Sequence, residues 1–210
     1  MCSKKQYPTV LWLIGCCVLS SAVSAKTFKE GDMLMHLRMA HINPDESADV
    51  TPTGGTLHVN VVNTPSLDVS YFLDDEIAIQ FLPGLVQHEA KLTNTTRGDK
   101  DLGNIWAIAP TFLLQYHYEV TESVKPYVGV GMSYVTYIED DDVDIDYDST
   151  FAAVIQAGID VAVDEEKHWW LNMDAKKAFA GTQSTSAQGR VRGDITTNPL
   201  ILGAGVGYKF

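Results

Sequence analysis

The sequence predicts an all-β chain: an eight-stranded antiparallel transmembrane β-barrel of the outer-membrane type. Three observations carry that expectation. Apolar and polar residues alternate with period two over segments long enough to cross a bilayer. Eight such segments follow one another, and the links between them alternate long and short. No stretch after residue 25 reaches the roughly 18 consecutive apolar residues that mark a helical span.

The first strand sets Met33, Met35, Leu37 and Met39 against His36 and Arg38. Next, Leu67, Val69 and Tyr71 oppose Asp68 and Ser70, and Ile77, Ile79, Phe81 and Leu85 oppose Gln80 and His88. Trp106, Ile108, Phe112, Leu114, Tyr116 and Tyr118 then share a face opposite Thr111, Gln115 and His117. Val128, Val130, Met132, Tyr134 and Ile138 oppose Gly129, Gly131 and Ser133. Residues 151–163 place Phe151, Ala153, Ile155, Ala157, Ile159, Val161 and Val163 against Gln156, Gly158 and Asp160. Gln156 and Asp160 are also helical neighbours, but Gly158 and the β-branched residues favour a strand. Trp169, Leu171, Met173 and Ala175 oppose Asn172, Asp174 and Lys176. The closing strand carries Leu200, Leu202, Ala204, Val206, Tyr208 and Phe210 on one face, with Gly203, Gly205, Gly207 and Lys209 on the other.

The long links are 43–65, about 93–104, 139–149 and 180–198; the short ones lie at 74–76, 119–123 and 164–167. That parity suits long external loops and tight periplasmic turns. A soluble eight-stranded barrel would carry its polar face outward. Here the apolar face holds its aromatics near strand ends (Trp106, Tyr116, Tyr118, Trp169, Tyr208 and Phe210), as a lipid-facing girdle does. The polar face then lines a lumen, whose candidates are Arg38, Asp68, Gln80, Gln115, Asp160, Asn172, Asp174 and Lys176. Parity adds Leu34, Phe72, Leu113 and Trp170 as bulky inward residues and turns Lys177 outward, within reach of lipid phosphates.

The 27 acids against 15 bases leave a net charge of −12, which excludes the basic face of a nucleic-acid groove. Lys4 and Lys5, an apolar run from Val10 to Leu19, and small residues at Val23 and Ala25 form a secretory signal peptide. A rival cut before Cys16 would leave an acylated N-terminus, but the apolar run ahead of it is short. The expected division is a signal peptide over 1–25 and a barrel over 26–210. Cys2, Cys16 and Cys17 leave with the leader, which excludes disulfides, zinc thiolates and cysteine nucleophiles.

Several segments resemble the OmpW family of outer-membrane proteins. His36 to Glu46 (HLRMAHINPDE) resembles its opening strand, and Tyr71 to Gln80 (YFLDDEIAIQ) its second hairpin. Ala109 to Tyr118 (APTFLLQYHY), followed by Lys125 to Tyr134 (KPYVGVGMSY), is the most specific stretch, and Asn198 to Phe210 (NPLILGAGVGYKF) resembles the closing strand. The resemblance implies a protein of the Gram-negative outer membrane, in contact with lipid and lipopolysaccharide. It implies a narrow lumen that handles small hydrophobic solutes, some leaving sideways through an opening in the wall. It aligns Leu82 with a leucine that narrows the lumen, while Lys176 stands where an aromatic partner is expected. The terminal Phe210, with Tyr208 behind it, resembles the signal read by the barrel-assembly machinery.

The functional expectation is therefore a channel for small hydrophobic molecules. The alternative is a structural or surface-interaction barrel, receptor- or adhesin-like, with a plugged lumen and working loops. An enzyme is not expected, for no His-Glu-x-x-His or Gly-x-Ser-x-Gly pattern occurs. His36, His88 and His117 beside Asp68, Asp160 and Asp174 read more simply as a hydrogen-bonded lumen. No cofactor is implied. The acidic loop 139–148 offers Asp142, Asp144, Asp146 and Asp148 as a weak site for divalent cations, against the plainer reading of a solvated hairpin.

Overall fold

A computed structural model describes residues 27–44, 46–51, 56–93, 100–138, 149–180, 183–187 and 191–210. The expected leader, 1–25, and the acidic loop with its four candidate aspartates lie outside the described residues. The strands are β1 (Met33–Asn43), β2 (Glu46–Thr51), β3 (Thr56–Val59), β4 (Val62–Phe72), β5 (Ile77–Leu82), β6 (Leu85–Thr93) and β7 (Lys100–Ile108). They continue as β8 (Thr111–His117), β9 (Val124–Ile138), β10 (Thr150–Ala162), β11 (Trp169–Ala180), β12 (Gln183–Ala187), β13 (Val191–Thr197) and β14 (Leu200–Lys209).

Eight staves close the barrel in the order β10, β11, β14, β1, β4, β5, β8, β9, and β9 pairs back with β10. The alternation read from the sequence is the one that burial follows. Along β1 every second residue (Leu34, His36, Arg38, Ala40, Ile42) is buried, and the methionines between them and Leu37 face out. An inward polar row needs no apolar core, because the staves satisfy one another's backbone groups around the ring.

Two features depart from eight plain staves. The links 43–65 and 180–198 are not simple loops: β2, β12 and β13 form a separate three-stranded sheet, and β3 pairs with β6. The third and fourth staves are each broken at a proline, β5 from β6 at Pro83-Gly84 and β7 from β8 at Ala109-Pro110. At each break the proline offers no ladder donor, and at the first Gly84 also leaves the extended conformation, whereas Pro65 and Pro126 sit within continuous strands. The two breaks are stitched together, since Ala109 N–H donates to the Gly84 carbonyl at 2.8 Å and Tyr134 N–H to the Pro110 carbonyl at 3.0 Å. Gly84 has φ of +58°, and a Cβ there would strike the Ala109 backbone.

Aromatics do gather at the periplasmic rim: Trp169 meets Tyr208 edge-on at 4.9 Å, and Tyr208 meets Phe210 at 4.9 Å. Lys177 donates to the Asn198 carbonyl at 2.6 Å, tying β11 to the approach of β14.

The turn before β11 is held by Asp164, whose carboxylate accepts from the backbone N–H of Trp169 at 2.8 Å and of His168 at 3.1 Å. Desolvation pushes this carboxyl up, but the backbone donors outweigh it and hold it below the ordinary aspartate range. Because the folded value is depressed, the turn's stabilisation is intact above the ordinary range and fades as pH falls through the lowered one. Amide exchange of Trp169 and His168, followed by NMR down the pH scale, should stay protected below the usual aspartate midpoint. In Asp164→Asn that pH dependence should vanish. A Gly84→Val substitution should lower unfolding stability by about 2 kcal/mol through left-handed strain and backbone collision, read by urea titration in lipid.

Candidate functional site

The inward faces form three levels, and each follows from the parity of its strands. At the periplasmic end Leu34, Phe72, Ala78 and Trp170 pack with Phe28 into a fully buried cluster. Phe28 comes from the segment preceding β1 and fills the barrel mouth from below. Its ring stacks on Phe72 at 4.1 Å and lies 5.0 Å from Trp170. The segment is strapped across the mouth: Thr27 Oγ1 donates to the Glu122 carbonyl at 2.9 Å, Gly31 N–H to the Phe72 carbonyl at 3.0 Å, and Lys209 Nζ to the Thr27 carbonyl at 3.0 Å.

Above this plug lies a charged ladder. His36 Nδ1 is 3.1 Å from an Asp68 carboxylate oxygen, and its Nε2 is 3.0 Å from Asp160. Ionised carboxylates only accept, so this geometry suits a ring with both nitrogens protonated. Arg38 pairs with Asp68 on one side and with Asp174, at 3.0 Å, on the other, and donates to Asn172 Oδ1 at 2.9 Å. Asp174 in turn pairs with Lys176. The charges alternate along the chain Asp160, His36, Asp68, Arg38, Asp174, Lys176.

Amides fill the remaining positions. Gln80 donates to Asp68, and Asn172 donates to Asp160 at 2.7 Å. Ser70 donates to Gln115 at 3.0 Å, Gln115 to Gln156 at 3.0 Å, and Gln156 to Asp174 at 2.8 Å. The glycines of β14 leave the room these side chains occupy: a Cβ at Gly203 would strike the Asp174 carboxylate, and one at Gly207 the His36 ring.

The third level, above the ladder, is mainly apolar, and its buried hydroxyls satisfy each other, Thr111 Oγ1 donating to Ser133 Oγ at 2.9 Å. Leu113, Ala152, Val154 and Ala178 pack together against Ala180. On the opposite side Val62, Thr64, Ser66 and Leu82 are only half-buried, so the interior is looser there. That is also where the wall is incomplete. β4 and β5 pair from Phe72↔Ala78 up to Val69↔Phe81, and higher up β3 and β6 pair from Val59↔Ala90. Between these two points no backbone ladder joins 62–68 to 82–89 among the described residues. The gap is flanked by Pro65 and Pro83, neither of which has an N–H to offer.

Of the residues singled out from the sequence, Arg38, Asp68, Gln80, Gln115, Asp160, Asn172, Asp174 and Lys176 are buried and lie in one hydrogen-bonded network. Leu82 stands apart from them at the edge of the wall gap. Alternation puts Gln156 on the same face as Asp160, though not among the lumen candidates above; Phe28 and Tyr127, whose hydroxyl accepts from Asn172 Nδ2 at 3.0 Å, were not singled out. Phe28 stands outside any alternating run, and nothing local marks it.

Residues 29–210 match the OmpW family. The chain belongs to the OmpW family. Its place is therefore the outer membrane of a Gram-negative bacterium. An uncharacterized outer-membrane protein of Sinorhizobium fredii, y4mB, is 34% identical over 153 residues, covering 70% of this chain and 65%, just under two thirds, of that relative. The dibenzothiophene metabolism operon protein PahQ of Pseudomonas aeruginosa is 24% identical over 194 residues, covering 87% of this chain and 90% of its own length. Among solved structures, the outer-membrane protein OprG of Pseudomonas aeruginosa superposes with a TM-score of 0.77 at 20% identity, covering 89% of this chain and 99% of OprG. That likeness establishes the shared eight-stranded fold.

Asp68 is the hub of the ladder, bonded to His36, Arg38 and Gln80. Replacing it with alanine leaves two buried cations short of a partner and should cost about 3 kcal/mol or more in lipid. Asp164→Ala, at the exposed turn, should cost far less. Urea titrations of the two variants, followed by heat-modifiable gel mobility, give the comparison.

Proposed function

We propose that this OmpW-family barrel admits small apolar solutes from outside the cell and releases them sideways into the membrane through the unpaired stretch of wall. One observation carries the reading: the ladder between β4 and β5 stops at Val69↔Phe81 beside a lumen that is closed lower down. A solute entering from the external side meets the apolar level first. Beneath it lie the charged ladder and the Phe28 plug. The gap runs for about seven residues of β4, roughly 20 Å along the strand. Leu82, on its rim, is placed to contact whatever passes. The name of the Pseudomonas aeruginosa relative, tied to a fused-ring apolar compound, supports the same solute class.

The closed lumen also favours a second reading, in which the barrel is a plugged scaffold and its external loops bind a partner. One experiment separates the two. Continuing the β4–β5 register by two rungs would bring Leu67 opposite Pro83, and residues 18–210 hold no cysteine. In a Leu67→Cys/Pro83→Cys variant, oxidation or a short bifunctional maleimide should abolish protein-dependent uptake of an apolar tracer by cells, and reduction of the disulfide should restore it. Uptake that persists with the wall locked would rule out sideways release. Uptake no greater than in cells lacking the protein would favour the scaffold reading.

A further inference from the structure

The three cations of the ladder are not equally engaged. His36 lies between Asp68 and Asp160, and Arg38 between Asp68 and Asp174 with Asn172 as a third partner. Lys176 ends the chain. Among the described residues its one carboxylate partner is Asp174, which also accepts from Arg38 and Gln156. An ammonium has three N–H donors, and burying one with donors to spare is costly unless acceptors arrive. Lys176 is buried at the top of the ladder, directly below Ala178 on the same face of β11.

The pairing registers show what lies beside it. Lys176 is opposite Ile201 of β14, Ile201 is opposite Ile42 of β1, and Ile42 is opposite Val62 of β4. All three face inward with Lys176. The row therefore runs from a cation, across apolar side chains, to the strand edge that bounds the wall gap. It spans three inter-strand spacings, roughly 14 Å around the wall. Ile201 and Val62 are half-buried, so this row is more open than the packed Leu113 and Val154 opposite.

We propose that Lys176 is a head-group site for amphipathic anions, which lodge a carboxylate on its ammonium and lay an apolar body along Ile201, Ile42 and Val62 toward the gap. The assignment rests on the uptake reading above and narrows its solute class. A purely apolar molecule gains nothing from Lys176. An aliphatic or aromatic carboxylate gains a charge-assisted hydrogen bond at one end and apolar contact along the other. Asp174 does not forbid the anion, because Arg38 holds that carboxylate as well.

The test compares a carboxylate with a neutral solute of the same length. Gram-negative cells expressing the full chain are given radiolabelled decanoate or 1-decanol, and initial uptake is corrected for cells carrying the empty vector. Lys176→Met should lower the decanoate-to-decanol ratio about tenfold, the worth of one charged hydrogen bond. Lys176→Arg should hold the ratio near that of the wild type. Because Lys176→Met leaves Asp174 with Arg38 as its one remaining cation among the described residues, the double change Asp174→Asn/Lys176→Met removes both charges together and should show the same drop. The ratio does not depend on how much barrel folds, so poor assembly cannot imitate the result. An unchanged ratio in both methionine variants overturns the head-group assignment alone. Wild-type decanol uptake no greater than in vector cells overturns the uptake reading and this assignment with it.

Discussion

Charges inside a narrow membrane barrel have no bulk water to retreat to, and the rest of this structure depends on how they are paired. Six ionic side chains share the middle of the lumen, and each one left alone would cost several kcal/mol. Their partners are distant in sequence: His36 of β1 reaches Asp160 of β10 across 124 positions, and Arg38 reaches Asn172 across 134. Such contacts exist only when the ring is closed, so the ladder couples barrel closure to charge compensation. The small residues of β14 serve the same end. Gly203, Gly205 and Gly207 occupy the inward positions beside Asp174, Arg38 and His36, where side chains would displace the network.

The sequence was legible wherever period two alone decides the outcome. Parity places Arg38, Asp68, Asp160 and Asp174 inside and Met35, Leu37 and Met173 outside, and the structure keeps those faces. Which charges meet was not legible, because that depends on the stagger between strands, and stagger leaves no trace in alternation. Phe28 was hidden for a related reason. Its burial comes from folding back across the barrel mouth, and only the three-dimensional position of Phe72 and Trp170 gives it a partner.

The prolines show where a local signal stops being sufficient. Pro83 and Pro110 both announce a missing donor, yet only one side of the third stave opens. Between the third and fourth staves the Gly84–Ala109 bond spans the break, and the Pro110–Tyr134 bond does the same for the next seam. Among the described residues no such stitch joins β4 to the start of β6. There Pro65 adds a second donor-less position on the facing strand, so the seam has prolines on both sides.

On the uptake route proposed above, sideways exit needs a reason to be preferred over the axial path, and the charged ladder supplies one without any moving gate. An apolar molecule driven downward would have to part hydrogen bonds between ionised groups and leave them unpaired against its own surface, a cost of several kcal/mol. Moving sideways exchanges contact with Leu82 and Val62 for contact with lipid chains, and no polar group is stripped. Lys176 fits this picture in place of an aromatic constriction. An aromatic residue would narrow the bore but would still welcome an apolar solute. A paired ammonium instead makes the floor of the apolar level chemically hostile to such a solute, while the neighbouring Ile201 and Ile42 lead toward the unpaired edge of β4. Direction in this barrel can therefore arise from the contrast between a floor that must stay wet or paired and a wall that has neither requirement.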